Sequence, residues 1–252
     1  MRPTPIYAPS STRLDAAIDG ELRAYMSQVY REMATAVAIS GGVAWVFGRD
    51  LAAVAAGQAT SILPASLLQA LYTGPMAYVL MFAPLVAVLV LSFTIYKMAP
   101  STARMALYGF AGLFGLSMAS IFAVFTGMSV ANAFFGTAVA LAAASLYGYT
   151  TKKSLAGMGA FLFMGVIALV VASLLNLFIG SSGLAFAINL IAVVVFTAMM
   201  AWDTQRIKSD YLALRASVPT SVLATMGTAG ALSMYLNFVN VFISLLVLTK
   251  DE

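Results

Sequence analysis

The sequence predicts an all-α membrane protein of seven transmembrane helices, and three observations carry that prediction. Hydrophobic residues make up 62% of the 252 and charged residues only 9%, where a water-soluble domain carries about 25% charged. The mean hydropathy is +0.96. The charges are also clumped, so that the whole run from Ser154 to Trp202 contains none. A crossing helix needs about 20 apolar residues, which leaves room for short loops and for no large soluble domain.

Residues 1–27 read as a polar N-terminal segment on the cytoplasmic side, with Arg2, Arg13, Asp15, Asp19, Glu21 and Arg23. The segment lacks the apolar core of a signal peptide. Residues 28–249 form the transmembrane domain. The first span is expected at 28–48, stopped by Arg49 and Asp50. Residues 51–74 are small and mildly apolar, interrupted by Pro64 and closed by Gly74-Pro75, which reads as an external loop with some helix. The second span is placed at 76–96, stopped by Lys97 and Pro100, and the third at 105–126, just after Arg104. The fourth, 132–149, is closed by Lys152-Lys153. The fifth, 155–179, meets the sixth, 184–203, through Gly180-Ser181-Ser182-Gly183, a short turn that predicts an antiparallel hairpin. The seventh is placed at 222–248.

Basic residues orient the bundle. Eleven of the thirteen fall in the N-terminal segment, at Arg31 by the inner start of the first span, and in the loops after the second, fourth and sixth spans. Only Arg49 and Lys250 fall on the other side. This bias places the N-terminus in the cytoplasm and, with seven spans, the C-terminus outside. Glycines recur within spans (Gly109, Gly112, Gly115, Gly157, Gly165, Gly227, Gly230) and read as close helix packing, because small residues let backbones approach in lipid.

Absences narrow the chemistry. The chain has no Cys and no His, which excludes thiolate and Ser-His catalysis, haem ligation by His and H-E-x-x-H zinc sites. No span holds a mid-membrane lysine for a retinal Schiff base, and no Gly-x-Gly-Asp motif supplies an intramembrane aspartyl protease. No nucleophile–base pair or metal cluster emerges, so the expectation is a protein that is not an enzyme, without a cofactor or nucleic-acid partner.

Ionisable groups within spans are functional candidates by default. Asp203 follows a mostly apolar run and precedes Arg206 and Lys208. It reads either as an interfacial cap paired with those bases or as a buried group facing the bundle interior. Asn237 and Asn240 lie mid-way along the seventh span and, at i and i+3, share a helical face. They read either as interhelical glue or as part of a site with Asp203.

Several ordered motifs sharpen this reading. Ser145-Leu-Tyr-Gly-Tyr-Thr-Thr-Lys-Lys-Ser-Leu155, Phe161-Leu-Phe-Met-Gly165, Ala172-Ser-Leu-Leu-Asn-Leu-Phe178, Ala201-Trp-Asp-Thr-Gln-Arg-Ile-Lys208 and Ala231-Leu-Ser-Met-Tyr-Leu-Asn-Phe-Val-Asn-Val-Phe242 resemble the Bax inhibitor-1 family. The resemblance runs from about Glu21 onward and suggests a bacterial inner-membrane member. It implies six helices wrapped around a central seventh, and a pH-sensitive Ca²⁺ leak. It also implies a pair of aspartates, at the end of the sixth span and in the seventh, that share a proton. The first aspartate falls on Asp203. The second position is Asn237, which cannot titrate, so the shared-proton pair is absent and any pH response belongs to one carboxyl. The basic partner that the resemblance implies falls on Lys97, with Arg104 as the alternative.

Two functions follow as expectations. The first is a Ca²⁺-permeable leak closed by polar contacts at Asp203, Asn237 and Asn240, with Ca²⁺ as permeant ion and a Ca²⁺ contact at Asp203. The second is a non-conducting interaction protein that modulates a membrane protease or a stress response, with the polar N-terminal segment as its contact surface.

Overall fold

The computed structural model describes residues 11–125 and 127–249, with side chains from residue 17 onward. The expectations for Arg2 and Lys250 lie outside the described residues. The described chain is helical almost throughout: α1 (Ser11–Ala55), α2 (Ala65–Tyr72), α3 (Gly74–Thr94), a 3₁₀ turn (Ile95–Lys97), α4 (Pro100–Val124), α5 (Gly127–Thr150), α6 (Met158–Ile179), α7 (Ser182–Leu214) and α8 (Thr220–Leu248). Seven of these, all but the short α2, are long and apolar enough to cross a membrane. α2 lies inside the stretch expected as a partly helical loop.

Local chemistry sets the helix ends. Pro75 and Pro100 sit in the first turns of α3 and α4, where the missing N–H costs nothing. α6 ends at Gly180, whose φ of 66° is the left-handed cap that suits glycine. Asn176 Oδ1 accepts from the Ser181 N–H, and Ser181 Oγ caps α7 by accepting from the Leu184 N–H. The expected hairpin forms, with α6 packed along α7.

Two helices run more than ten residues past their expected ends. α1 begins at Ser11 rather than at residue 28, because Leu22, Met26, Val29, Met33 and Ala36, each 3% exposed or less, make a continuous stripe at alternating four- and three-residue steps. Asp19, Glu21 and Arg23 occupy the opposite, exposed faces, so charge does not stop the helix. Residues 11–27 therefore continue the first membrane helix. α7 runs eleven residues beyond Asp203, because Ile207 and Tyr211 carry its buried face onward.

α8 is the core of the bundle. In its most apolar window 56% of residues are buried, against 28% or less in the other six helices. It packs against α1, α4, α5 and α7 and against the 3₁₀ turn, whereas α3 packs on α4 and α6 on α7. Four helices thus close around α8, with α3 and α6 outside them. Arg215 pairs with Glu21 at 3.0 Å, Lys208 reaches the Tyr149 carbonyl at 2.9 Å, and Thr225 Oγ1 donates to the Met98 carbonyl at 3.2 Å. These contacts gather the start of α1 and the α3–α4, α5–α6 and α7–α8 connections at one end, the basic end.

Candidate functional site

Asp203 is fully buried. Its place follows from the α7 stripe Met200, Asp203, Thr204, Ile207 and Tyr211, all buried, which faces the interior at helical spacing. α8 runs antiparallel beside it. Gly230 permits the close approach: a Cβ there would strike the side chain of Ile207. Because α7 continues about 17 Å past Asp203, the carboxylate comes level with the middle of α8 and needs no break in that helix.

Three donors hold the carboxylate. Arg206, one turn further along α7, donates from Nη2 to Oδ1 at 2.6 Å. Ser233 donates from Oγ to Oδ2 at 2.6 Å, and Asn237 donates from Nδ2 to the same Oδ2 at 2.7 Å. Ser233 and Asn237 are i and i+4, so α8 presents both to one acceptor. The Arg206 guanidinium lies over the Trp202 ring, 4.6 Å from its centroid, and leads from the buried carboxylate toward the basic end. A second set of polar groups borders the first: Thr204 Oγ1 lies 3.2 Å from the Tyr30 hydroxyl of α1 and 3.5 Å from Ser145 Oγ of α5.

The sequence-derived residues divide accordingly. Asp203 and Asn237 meet directly. Asn240 does not join them and turns its amide to the Leu236 carbonyl of its own helix. The base against Asp203 is neither Lys97 nor Arg104. Lys97 is exposed in the 3₁₀ turn, and Arg104 is committed to Glu32, whose Oε1 accepts from its Nε and Nη2 at 2.9 Å each and from Gln28. Arg206 wins by proximity on the same helix, so the two readings of Asp203 merge: it is buried in the interior and it is ion-paired. Ser233 was missed, although its four-residue step to Asn237 marks it in the sequence. Glu32 is buried and joins α1 to α4 through Arg104, whose side chain is 43% exposed.

The carboxylate ties the two helices together. A carboxylate offers about four lone-pair sites, and three are filled, one from α7 and two from α8. Parting the helices breaks the two α8 bonds and leaves Asp203 with Arg206. Among the described residues no three acidic side chains converge, and Asp203 is the one carboxylate of this cluster.

Seven apolar helices and a buried, hydrogen-bonded aspartate between two of them define a multi-pass α-helical membrane protein with a polar cluster in its core. The profile of the Bax1-I family, described as "Inhibitor of apoptosis-promoting Bax1", matches residues 22–251. The chain belongs to the Bax inhibitor-1 family. It is 40% identical to a protein of Caulobacter vibrioides over 91% of this chain and 89% of that one. It is 36% identical to the inner membrane protein YbhL of Escherichia coli over 89% and 90%, and 36% identical to RP147 of Rickettsia prowazekii over 94% and 93%.

Proposed function

We propose that this chain is a Ca²⁺-permeable leak protein of the bacterial inner membrane whose closed state is the α7–α8 latch at Asp203. The observation that supports the reading is the division of donors: Ser233 and Asn237 approach from α8 and Arg206 from α7 itself. Charge-assisted hydrogen bonds contribute about 1.5–3 kcal/mol each, so two of them make a closure that is firm and still reversible. When the helices part, the freed carboxylate and hydroxyl oxygens face the opening, and Ca²⁺ prefers such hard oxygen ligands. Calcium is here the permeant ion, and the reading involves no catalytic step. The surplus of basic residues at one end supports an N-terminus in the cytoplasm. Arg215 pairs with Glu21, and Tyr211 stacks on Tyr25 at 4.4 Å. These contacts hold α1 against the bundle at Glu21 and Tyr25.

Proteoliposomes loaded with a Ca²⁺ dye test the proposal. Influx should exceed that of empty liposomes and should rise in Ser233→Ala. Flux equal to empty liposomes on both sides of neutral pH overturns it.

A further inference from the structure

At the end of the bundle away from the basic loops, α1, α4, α5 and α8 part to leave a cavity of about 490 Å³, well within the range of about 300–1,000 Å³ typical of ligand sites. Its wall is aromatic, with Trp45 from α1, Phe114 and Phe122 from α4, Phe134 and Phe135 from α5 and Phe238 from α8. α5 makes no substantial contact with α1 or α4, so the cavity opens sideways between helices, toward the lipid. Along α1 it extends from Val37 to Arg49, about 18 Å at 1.5 Å per residue. One leaflet of the hydrocarbon core is about 15 Å deep. The slot therefore has the depth of one leaflet.

Arg49 is the charged side chain of the lining. Its guanidinium lies over the Trp45 ring, 4.9 Å from the centroid, and it takes part in none of the ion pairs among the described residues. Its neighbour Asp50 does not neutralise it. Asp50 is buried and turned away, with its carboxylate accepting from the N–H groups of Ser61, Ile62 and Leu63. Among the described residues no carboxylate pairs with this cation, which stands at the mouth of an apolar slot one leaflet deep. We infer that this cavity binds an acyl chain of an anionic phospholipid, with the lipid's phosphate group on Arg49. A zwitterionic lipid would bring its own cation beside the arginine, and free phosphate would leave the slot unused. The site stands apart from the Asp203 latch and from any conduction.

The chain has two tryptophans, Trp45 and Trp202, so Trp202→Phe leaves Trp45 as a reporter in the cavity. The variant is reconstituted in vesicles containing a small fraction of lipid brominated in its acyl chains, as phosphatidylglycerol or as phosphatidylcholine. The anionic lipid should quench Trp45 at least twofold more than the zwitterionic one at equal bromine. Arg49→Gln, at an exposed position, should bring the two to parity. Gly41→Leu should do the same by filling the slot: Gly41 lines the cavity, and a Cβ there meets nothing within 4 Å. Equal quenching by the two lipids in the parent protein overturns the proposal. So does a preference that survives Arg49→Gln, which would take the headgroup off the arginine, or one that survives Gly41→Leu, which would leave the lipid on the surface.

Discussion

Asn237 donates its side-chain amide to Asp203 Oδ2 at 2.7 Å across the α7–α8 interface, and Ser233 donates to the same oxygen at 2.6 Å. The two bonds share an acceptor but not a fate on mutation. Ser233→Ala leaves a small gap beside the carboxylate. Asn237→Leu places an apolar group of similar size against a buried carboxylate.

Each substitution should therefore destabilise the protein by about 1.5–3 kcal/mol, the range for hydrogen bonds to charged groups. Unfolding equilibria in mixed detergent micelles measure the loss. In an Asp203→Asn background the cost of either substitution should fall by at least about 1 kcal/mol, since the acceptor no longer carries charge. Costs that are unchanged by Asp203→Asn would mean that the bonds do not depend on an ionised carboxylate.

Arg206 tests the ion pair. Its side chain is 35% exposed while that of Asp203 is fully buried, so Arg206→Gln strands a charge that cannot reach water. Breaking a buried pair costs about 3–5 kcal/mol; with one partner partly exposed, about 2–3 kcal/mol is the expectation. The double variant Asp203→Asn, Arg206→Gln should be more stable than Arg206→Gln alone. If the double variant is the weaker of the two, Asp203 is not the stranded charge.

What the sequence reveals and what it hides divide along physical lines. Spans are legible because apolar run length is a local property, and the Gly180-Ser181 turn is legible because its capping chemistry is local too. The start of α1 was hidden because the charges at Asp19, Glu21 and Arg23 mask the stripe of Leu22, Met26 and Val29 when residues are read singly rather than by period. Partner choice was hidden for a different reason. Arg104, Lys97 and Arg206 are all basic residues near span ends, and only the packing of α1 on α4 shows that Glu32 claims Arg104. Asp50 reads as the end of a span, and its use as an acceptor for three backbone N–H groups depends on how the loop after α1 folds back.

Glycine roles also separate only in three dimensions. A Cβ at Gly148 of α5 would collide with the backbone of Ala201 in α7, and one at Gly115 of α4 with the backbone of Ser40 in α1, whereas one at Gly112 meets nothing within 4 Å. Gly148→Ala should destabilise by about 1–3 kcal/mol or more, because backbone atoms cannot step aside as a side-chain end can. Gly112→Ala should be neutral or stabilising by up to about 1 kcal/mol through helix propensity. Thermal unfolding of the two variants in one detergent makes the comparison. Equal losses would show that glycine acts here through flexibility rather than contact.

Asn237→Asp is the substitution that asks most of the site. It puts a second carboxyl where the Asn237 amide meets Asp203 at 2.7 Å. Two carboxylates at that distance cannot both be charged, so the closed state must hold a proton between them. The closed latch then binds one more proton than the parted one. Acid should favour closure and alkali opening. In the native protein Asp203 faces an amide, a hydroxyl and a guanidinium rather than a second carboxyl, and its response should be shallow. Because the chain has no Cys, spin labels on Phe186→Cys of α7 and Val247→Cys of α8 report the separation of the two helices at one end of the bundle, whether or not the protein conducts. Between about pH 5 and pH 9 the Asn237→Asp protein should pass from one narrow distance to a longer, broader distribution, more steeply than the native protein. Asp203→Asn should flatten the native response, and in the Asn237→Asp background it should leave the gentler curve of a single carboxyl. A pH profile that Asn237→Asp leaves unaltered would show that the two side chains do not act as a pair, and the latch at Asp203 would have to be abandoned as the switch.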